Sequence, residues 1–126
     1  PGSLPAEQSQ DLPQAGLGTL LLTLLSRRRL FLVDGDSMSP RLKSGDRVIA
    51  TPYRGEQLQR GTVVLLSHPM TGQRMIKRLS HPCQGGWWVL GDNPTNSSDS
   101  RQFGAVAATA IEAIATAVVP SKRPSN

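Results

Sequence analysis

The stretch Gly35-Asp36-Ser37-Met38-Ser39-Pro40 decides how the rest of this sequence is interpreted. It directly follows an apolar, strand-like run at residues 30–33. Gly35 can adopt backbone conformations that are closed to other residues, whereas Pro40 fixes its own φ and lacks an amide hydrogen. The stretch therefore predicts a tight turn at the end of a strand. Such a turn is where a fold can present a nucleophilic serine, here Ser37.

A serine hydroxyl is a weak nucleophile until a neighbouring base takes its proton, and Lys77 is the candidate base. A lysine serves as a base only when it is neutral, and burial lowers its pKa from about 10.4 because the ammonium group loses hydration. Lys77 lies in a strand-like run at residues 74–79, where alternation places Met75 and Leu79 on its own face. The same pattern also fits a lysine whose stem covers apolar surface while its amine stays in water.

A third stretch, residues 91–101, is dense in hydrogen-bonding side chains. Ser97 is predicted to hold the amine of Lys77, and the backbone N–H of Ser37 to stabilise a developing oxyanion. The alternative for the stretch is a loop that bonds only to itself through Asx and Ser turns. The predicted supporting residues are Ser97, Asp36, Asp92, Asp99, Arg78 and Arg101, with ion pairs Asp92–Arg78 and Asp99–Arg101, and the predicted substrate contacts are Met38 and Val33.

Short apolar runs separated by turn residues predict a mainly antiparallel β domain. The predicted strands are 30–34, 47–51, 62–67, 74–80, 87–90 and 114–119, with one or two helical turns within 107–113. Residues 15–29 are predicted to form a short apolar helix with a basic end. His68 and His81 each precede a proline, which predicts turns at strand ends rather than catalytic or metal-binding roles.

Composition limits the classes of function. With 126 residues the chain is expected to form one domain, at residues 30–119. Residues 1–14 are expected to be disordered or partly derived from cloning, and residues 120–126 to form a disordered tail. The net charge of +5 comes with only five aromatic residues, which argues against nucleic-acid binding by base stacking. A single cysteine, Cys83, excludes an internal disulfide and makes a metal site improbable.

The apolar run at residues 17–25 has nine residues, whereas a membrane-spanning helix needs roughly 20. We therefore expect a cytoplasmic protein. A membrane-associated protein is the alternative, with weak contact to a membrane surface through residues 15–29.

Four motifs together resemble the signal peptidase I family of Ser/Lys proteases. They are Ser37-Met38-Ser39-Pro40, Gly45-Asp46-Arg47-Val48-Ile49, Lys77-Arg78, and the box from Gly91-Asp92-Asn93 through Asn96-Ser97-Ser98-Asp99-Ser100-Arg101 to Gly104. The resemblance covers about residues 30–119. It implies a mainly β fold, Ser37 as nucleophile, Lys77 as general base, Ser97 as the residue that orients the lysine, an acyl-enzyme, and no metal or other cofactor.

The sequence departs from that family in lacking a clear transmembrane anchor and a large inserted β domain, and in having Pro94 and Thr95 where charged residues are common. A compact form without an anchor and with the motifs at residues 35–38, 87–94 and 99–104 is similar to the maturation proteases of nickel-type superoxide dismutase. That resemblance implies a precursor protein as partner, from which an N-terminal extension is removed. Three alternatives remain: a general membrane-associated signal peptidase, a LexA/UmuD-like self-cleaving regulator, and a binding module without turnover.

Overall fold

The fold is a single antiparallel sheet. The computed structural model describes residues 12–18 and 28–121. Six strands lie within these residues, in the spatial order β1-β2-β6-β3-β4-β5, and each pairs antiparallel with its neighbours. The strands are β1 (Arg29–Leu32), β2 (Arg47–Pro52), β3 (Val63–Ser67), β4 (Arg74–Cys83), β5 (Gly86–Leu90) and β6 (Ile111–Val119). One short helix, α1 (Ser100–Phe103), and a 3-10 turn (Ala108–Ala110) precede β6. The predicted mainly antiparallel β fold is confirmed.

Strand β3 shows why the sheet carries apolar packing on both faces. Val63 and Leu65 belong to a core cluster that contains Met38, whereas Val64 and Leu66 belong to a second cluster with Leu79. This division follows from the alternation of side chains along a strand. A central strand with apolar side chains on both faces reads as a continuous apolar run, as residues 63–66 do.

Of the end segments predicted to be disordered, residues 12–14 and 120–121 are described and are attached to the rest of the fold by hydrogen bonds, whereas residues 1–11 and 122–126 lie outside the described residues. The carbonyl oxygen of Pro13 accepts the N–H of Val118 over 2.8 Å, and the N–H of Ala15 donates to the carbonyl oxygen of Val118 over 2.8 Å. Strand β3 pairs with β6 only as far as Ile114, so the rest of that edge needs other hydrogen-bond partners. Residues 12–15 supply them, and the N–H of Ser121 donates to Asp46 Oδ1 over 3.0 Å.

Several predicted boundaries are also corrected. Strand β1 begins at Arg29, so this residue does not end a helix; most of the predicted helix 15–29 lies outside the described residues. Strand β6 begins at Ile111, so only residues 108–110 of the predicted helical segment are helical. His81 lies within β4 rather than in a turn, because a register shift lets the strand continue past it to Cys83.

No helix in the described ranges is long and apolar enough to cross a membrane.

Gly86 provides a test of the packing at the outer edge of β5, where Trp87 pairs with Val106. A Cβ at Gly86 would lie 2.8 Å from the carbonyl carbon of Val106 and 2.9 Å from Cα of Ala107. Gly86→Ala combines this overlap with a φ of +138°, so we expect a loss of about 2–5 kcal/mol in the free energy of unfolding.

Gly85→Ala is the matched control, because φ is +92° there but no atom lies within 4 Å of the added Cβ. It should cost about 1–2 kcal/mol from backbone strain alone. The measurement is urea unfolding followed by circular dichroism. Equal losses in the two variants would contradict the packing described at Val106.

Candidate active site

The turn at residues 35–40 is anchored to the sheet by its one buried side chain, that of Met38. Gly35 has a φ of +89°, and the N–H of Ser39 donates to the carbonyl oxygen of Asp36 over 3.0 Å. Met38 is fully buried in the first core cluster, next to Leu42. The prediction that Met38 contacts substrate is therefore wrong: its side chain holds the turn to the sheet and is not part of the cavity wall described below.

The loop that follows β5 fastens the same turn from the other side. The N–H of Asn93 donates to the carbonyl oxygen of Ser37 over 2.8 Å, and Asn93 Nδ2 donates to the carbonyl oxygen of Asp36 over 3.1 Å. Asp36 thus contributes through its main chain, and its side chain is exposed. Asn93 was given no role by the sequence analysis, although it lies in the box that the analysis singled out.

Lys77 lies on β4 and is only 4% exposed. Its Nζ donates to Ser97 Oγ over 3.3 Å, the contact predicted from the sequence. Burial lowers the pKa of Lys77; the negative charge of Asp99 opposes this shift, and the positive charge of Arg101 adds to it. Lys77 therefore loses its proton more readily than a lysine in water, as a general base must.

Asp99 organises the loop at residues 91–101. Its buried carboxylate accepts hydrogen bonds from the N–H of Gly91 and from Ser97 Oγ, both over 2.9 Å, and from Arg101, whose Nη2 lies 2.6 Å from Oδ2. Burial alone would raise the pKa of Asp99, but the hydrogen bonds from Arg101, Gly91 and Ser97 outweigh it and hold the pKa well below its ordinary value. Asp99 also caps α1, in a capping box with Gln102.

The direction of the Ser97 hydroxyl follows from this arrangement. A hydroxyl has one hydrogen to donate. Since the ionised Asp99 carboxylate can only accept, Ser97 gives its hydrogen to Asp99 and must accept from Lys77. One N–H of the lysine is thereby fixed in direction, and the lone pair of the neutral amine points elsewhere.

A buried ion pair holds β4 to the start of the loop beside the lysine. Arg78 Nε donates to Asp92 Oδ1 over 3.0 Å and Nη2 to Oδ2 over 2.8 Å, while Nη1 donates to the carbonyl oxygen of Gly61 over 2.9 Å. Both side chains are 9% exposed. A bidentate geometry of this kind fixes orientation as well as distance. The two predicted ion pairs, Arg78–Asp92 and Asp99–Arg101, are both present.

Ser37 and Lys77 line one open cavity of about 570 Å³. Val33, a predicted substrate contact, is part of its wall, together with Leu32 and Ile76. The tryptophans face other surroundings: Trp87 packs against the second core cluster and Trp88 stacks on His81, with ring centroids 6.1 Å apart.

The chemistry available in this cavity is that of a serine and a buried amine that line the same cavity. The described residues hold no cluster of three or more His, Cys, Asp or Glu side chains suited to a metal ion. The sequence analysis did not assign a role to Gly91 or Ser98. Ser98 lines the cavity, and Gly91 lies where the nucleophile turn and Ser97 meet.

Gly91→Ala tests how closely the turn, the loop and Ser97 fit together. The added Cβ would lie 2.7 Å from the carbonyl oxygen of Ser37 and 2.8 Å from Cβ of Ser97. We expect a loss of about 1–3 kcal/mol in unfolding free energy from overpacking. We also expect at least a tenfold slower reaction of Ser37 with a penem acylating agent, because Ser97 must move away from Lys77.

Gly16→Ala is the control, since no atom lies within 4 Å of that position. Urea unfolding and intact-mass detection of the penem adduct measure both effects. An unchanged labelling rate in Gly91→Ala would show that the position of Ser97 does not matter for Ser37.

The chain was compared with known proteins on the basis of sequence. It matches the family described as Peptidase S24-like over residues 18–118, which covers every residue of the site and all six strands except the last residue of β6. No curated protein matches it significantly. The match supports a serine-peptidase fold at family level, whereas the finer resemblance to signal peptidase I is not confirmed by it. On the extent of this match, the chain belongs to the Peptidase S24-like family.

Proposed function

We propose that this protein is a serine endopeptidase in which Ser37 is the nucleophile and Lys77 the general base. The observation that carries the proposal is the buried Lys77 amine, held over 3.3 Å by Ser97 and lining the same cavity as Ser37. A buried lysine without a directly contacting carboxylate is suited to accept a proton from a serine.

The reaction follows from these positions. Lys77 takes the proton of the Ser37 hydroxyl as its oxygen attacks the substrate carbonyl carbon, and the backbone N–H of Ser37 stabilises the negative oxygen that forms. The protonated Lys77 then gives its proton to the leaving amine as the peptide bond breaks, which leaves an acyl-enzyme on Ser37. Lys77 next takes a proton from a water molecule, whose oxygen attacks the acyl carbon; Lys77 then returns the proton to the Ser37 oxygen as the ester bond breaks, which restores the serine and the neutral amine.

As substrate we propose a precursor protein from which an N-terminal extension is removed, specifically the precursor of a nickel-type superoxide dismutase. The support is the similarity of the motifs around Trp87–Pro94 and Asp99–Gly104 to the proteases of that maturation step. The open cavity, accessible to an extended chain, is compatible with cleavage of a second protein.

Self-cleavage is the second candidate, and membership of the Peptidase S24-like family favours it. A self-cleaving regulator of the LexA/UmuD kind cuts a segment of its own chain. Such cleavage is intramolecular, so its rate does not depend on protein concentration, whereas cleavage of a precursor does.

The first test is cleavage of a nickel-dismutase precursor, with intact mass as the readout. We expect the wild-type chain to trim the precursor at its N-terminus, and Ser37→Ala and Lys77→Met to lose at least about a thousandfold in rate, since either change removes a member of a cooperating pair. Lys43→Met is the matched control, because Lys43 is exposed and its amine lies outside the site.

The outcomes separate the candidates. If the wild-type chain trims the precursor and both Ser37→Ala and Lys77→Met lose this activity, the result supports Ser37 and Lys77 as the catalytic pair and the dismutase precursor as substrate. A wild-type chain that shortens itself at a rate independent of concentration supports self-cleavage. Labelling of Ser37 by a penem without either reaction keeps the peptidase and removes the dismutase substrate, and absence of labelling between pH 7 and 10 contradicts the peptidase.

The second prediction concerns pH. Because Lys77 acts in its neutral form, the rate of Ser37 acylation should rise with pH through the lowered pKa of Lys77. Arg101→Gln removes a positive charge that lowers this pKa, while the Asp99 charge that raises it remains. The pKa of Lys77 should rise, and the pH profile should therefore shift to more alkaline values.

Arg54→Gln is the control for loss of a cation, since Arg54 is exposed on the loop after β2. The profile is measured by penem labelling from pH 5 to 10. An acidic shift in Arg101→Gln, or a flat wild-type profile between pH 6 and 9, would be incompatible with Lys77 as the base.

A further inference from the structure

Arg74 on β4 contacts residues of β1 and β6 and lines the cavity that Ser37 and Lys77 also line. Its guanidinium carbon lies 5.0 Å from the ring centroid of Phe31 on β1, and its Nε donates to Glu112 Oε1 over 3.0 Å. Glu112 Oε2 in turn accepts from Ser67 Oγ over 2.6 Å. The guanidinium is therefore contacted by residues of two other strands, on one face by Phe31 and at Nε by Glu112, and Ser67 supports Glu112 from a third strand.

Glu112 is fully engaged in this arrangement. The hydrogen bond from Ser67, followed by that from Arg74, holds the pKa of Glu112 below its ordinary value against the opposing effect of burial. The carboxylate is ionised at neutral pH, and each of its oxygens has a partner. Its contact with Arg74 uses only Nε, so the two terminal nitrogens of the guanidinium have no partner among the described residues.

A second cavity of about 230 Å³ lies on the other side of this bridge. Phe31 and Arg74 form the wall that it shares with the catalytic cavity, and Arg29 and Glu112 also line it. Arg29 makes no ion pair within the described part of the chain. The small cavity is lined by two arginines, Arg29 and Arg74, and by one carboxylate, Glu112, so its net charge is positive.

We propose that the small cavity is a specificity subsite that binds an acidic side chain of the substrate through Arg74. A guanidinium already fixed by stacking and by one hydrogen bond presents its terminal nitrogens to a carboxylate at little further cost in entropy. Arg29 adds long-range attraction for the same charge. This inference rests on the proposed peptidase function and assigns a class of substrate to it.

The expected position of the acidic residue in the substrate follows from the spacing of Arg74 and Lys77 along β4. Arg74 precedes Lys77 by three residues, and a strand rises about 3.3 Å per residue, so the two lie about 10 Å apart along the strand. A substrate chain that lies extended in the cavity covers the same distance in about three residues. The acidic side chain is therefore expected about three residues from the bond that is cut.

The experiment is cleavage of a proteome-derived peptide library, with cut sites identified by mass spectrometry. The wild-type chain, Arg74→Gln and Arg74→Glu are compared, each at the same concentration of penem-titrated active sites. We expect the wild-type chain to prefer Asp or Glu about tenfold at a single position near three residues from the cut, as hydrogen bonds to a charged group imply. Arg74→Gln should lose this preference, and Arg74→Glu should replace it with one for Lys or Arg.

Arg54→Glu is the matched charge reversal at an exposed position that lines neither cavity, and it should keep the wild-type preference. Circular dichroism establishes that each variant is folded. A wild-type profile without an acidic position, or one unchanged in Arg74→Glu, overturns the subsite and leaves the peptidase intact, because cleavage itself has then been observed.

If Ser37 is labelled by the penem but no peptide is cut, the subsite is tested by how well peptides protect Ser37 from labelling. A hexapeptide pool with Glu at fixed positions must then protect Ser37 about tenfold better than the same pool with Gln, and equal protection overturns the subsite. If Ser37 is neither labelled nor active, the proposed peptidase function fails and the subsite fails with it.

Discussion

The buried carboxylate of Asp99 is the constraint on which the site depends. An ionised carboxylate without partners in a protein interior is strongly unfavourable, so its burial requires compensating hydrogen bonds. Gly91, Ser97 and Arg101 provide them, and each partner carries a structural consequence. Gly91 brings the loop against the nucleophile turn, Ser97 reaches the lysine, and Arg101 belongs to the helix that Asp99 caps. A single buried charge thus fixes the relative positions of the three segments.

The same network explains how a lysine can be both buried and able to lose its proton. A carboxylate in direct contact would hold the lysine in its charged form, because an opposite charge favours ionisation. Here Ser97 lies between Lys77 and Asp99, and Arg101 offsets much of the negative charge. Burial therefore decides the direction in which the pKa of Lys77 moves. The neutral Ser97 hydroxyl is oriented by Asp99 and in turn orients the Lys77 amine, while it keeps the carboxylate out of direct contact with that amine.

The sequence predicted the parts of the site that are encoded by local pattern. Period-two alternation placed Lys77 with Met75 and Leu79, and the dense polar box supplied the partners Ser97, Asp92 and Asp99. It failed where tertiary contacts override local preference. Met38 follows Ser37 in sequence, yet its side chain lies in the core and anchors the turn. The pairing of residues 12–15 with β6 could not be predicted, because it depends on β3 leaving part of that edge without a partner.

The separation of charges along the cavity is consistent with the chemistry of the pair. A cation placed next to Lys77 attracts acidic substrates but also alters the protonation of the base. Arg74 lies three residues away on β4, at about the Debye length of roughly 8–10 Å in physiological salt, and its side chain is 56% exposed to solvent. Its charge is therefore weakened by solvent and salt at the amine, and the charges that shift the pKa of Lys77 are those of Asp99 and Arg101. The proposed recognition of an acidic substrate group by Arg74 and the proposed proton transfer by Lys77 therefore use side chains that lie about 10 Å apart along β4.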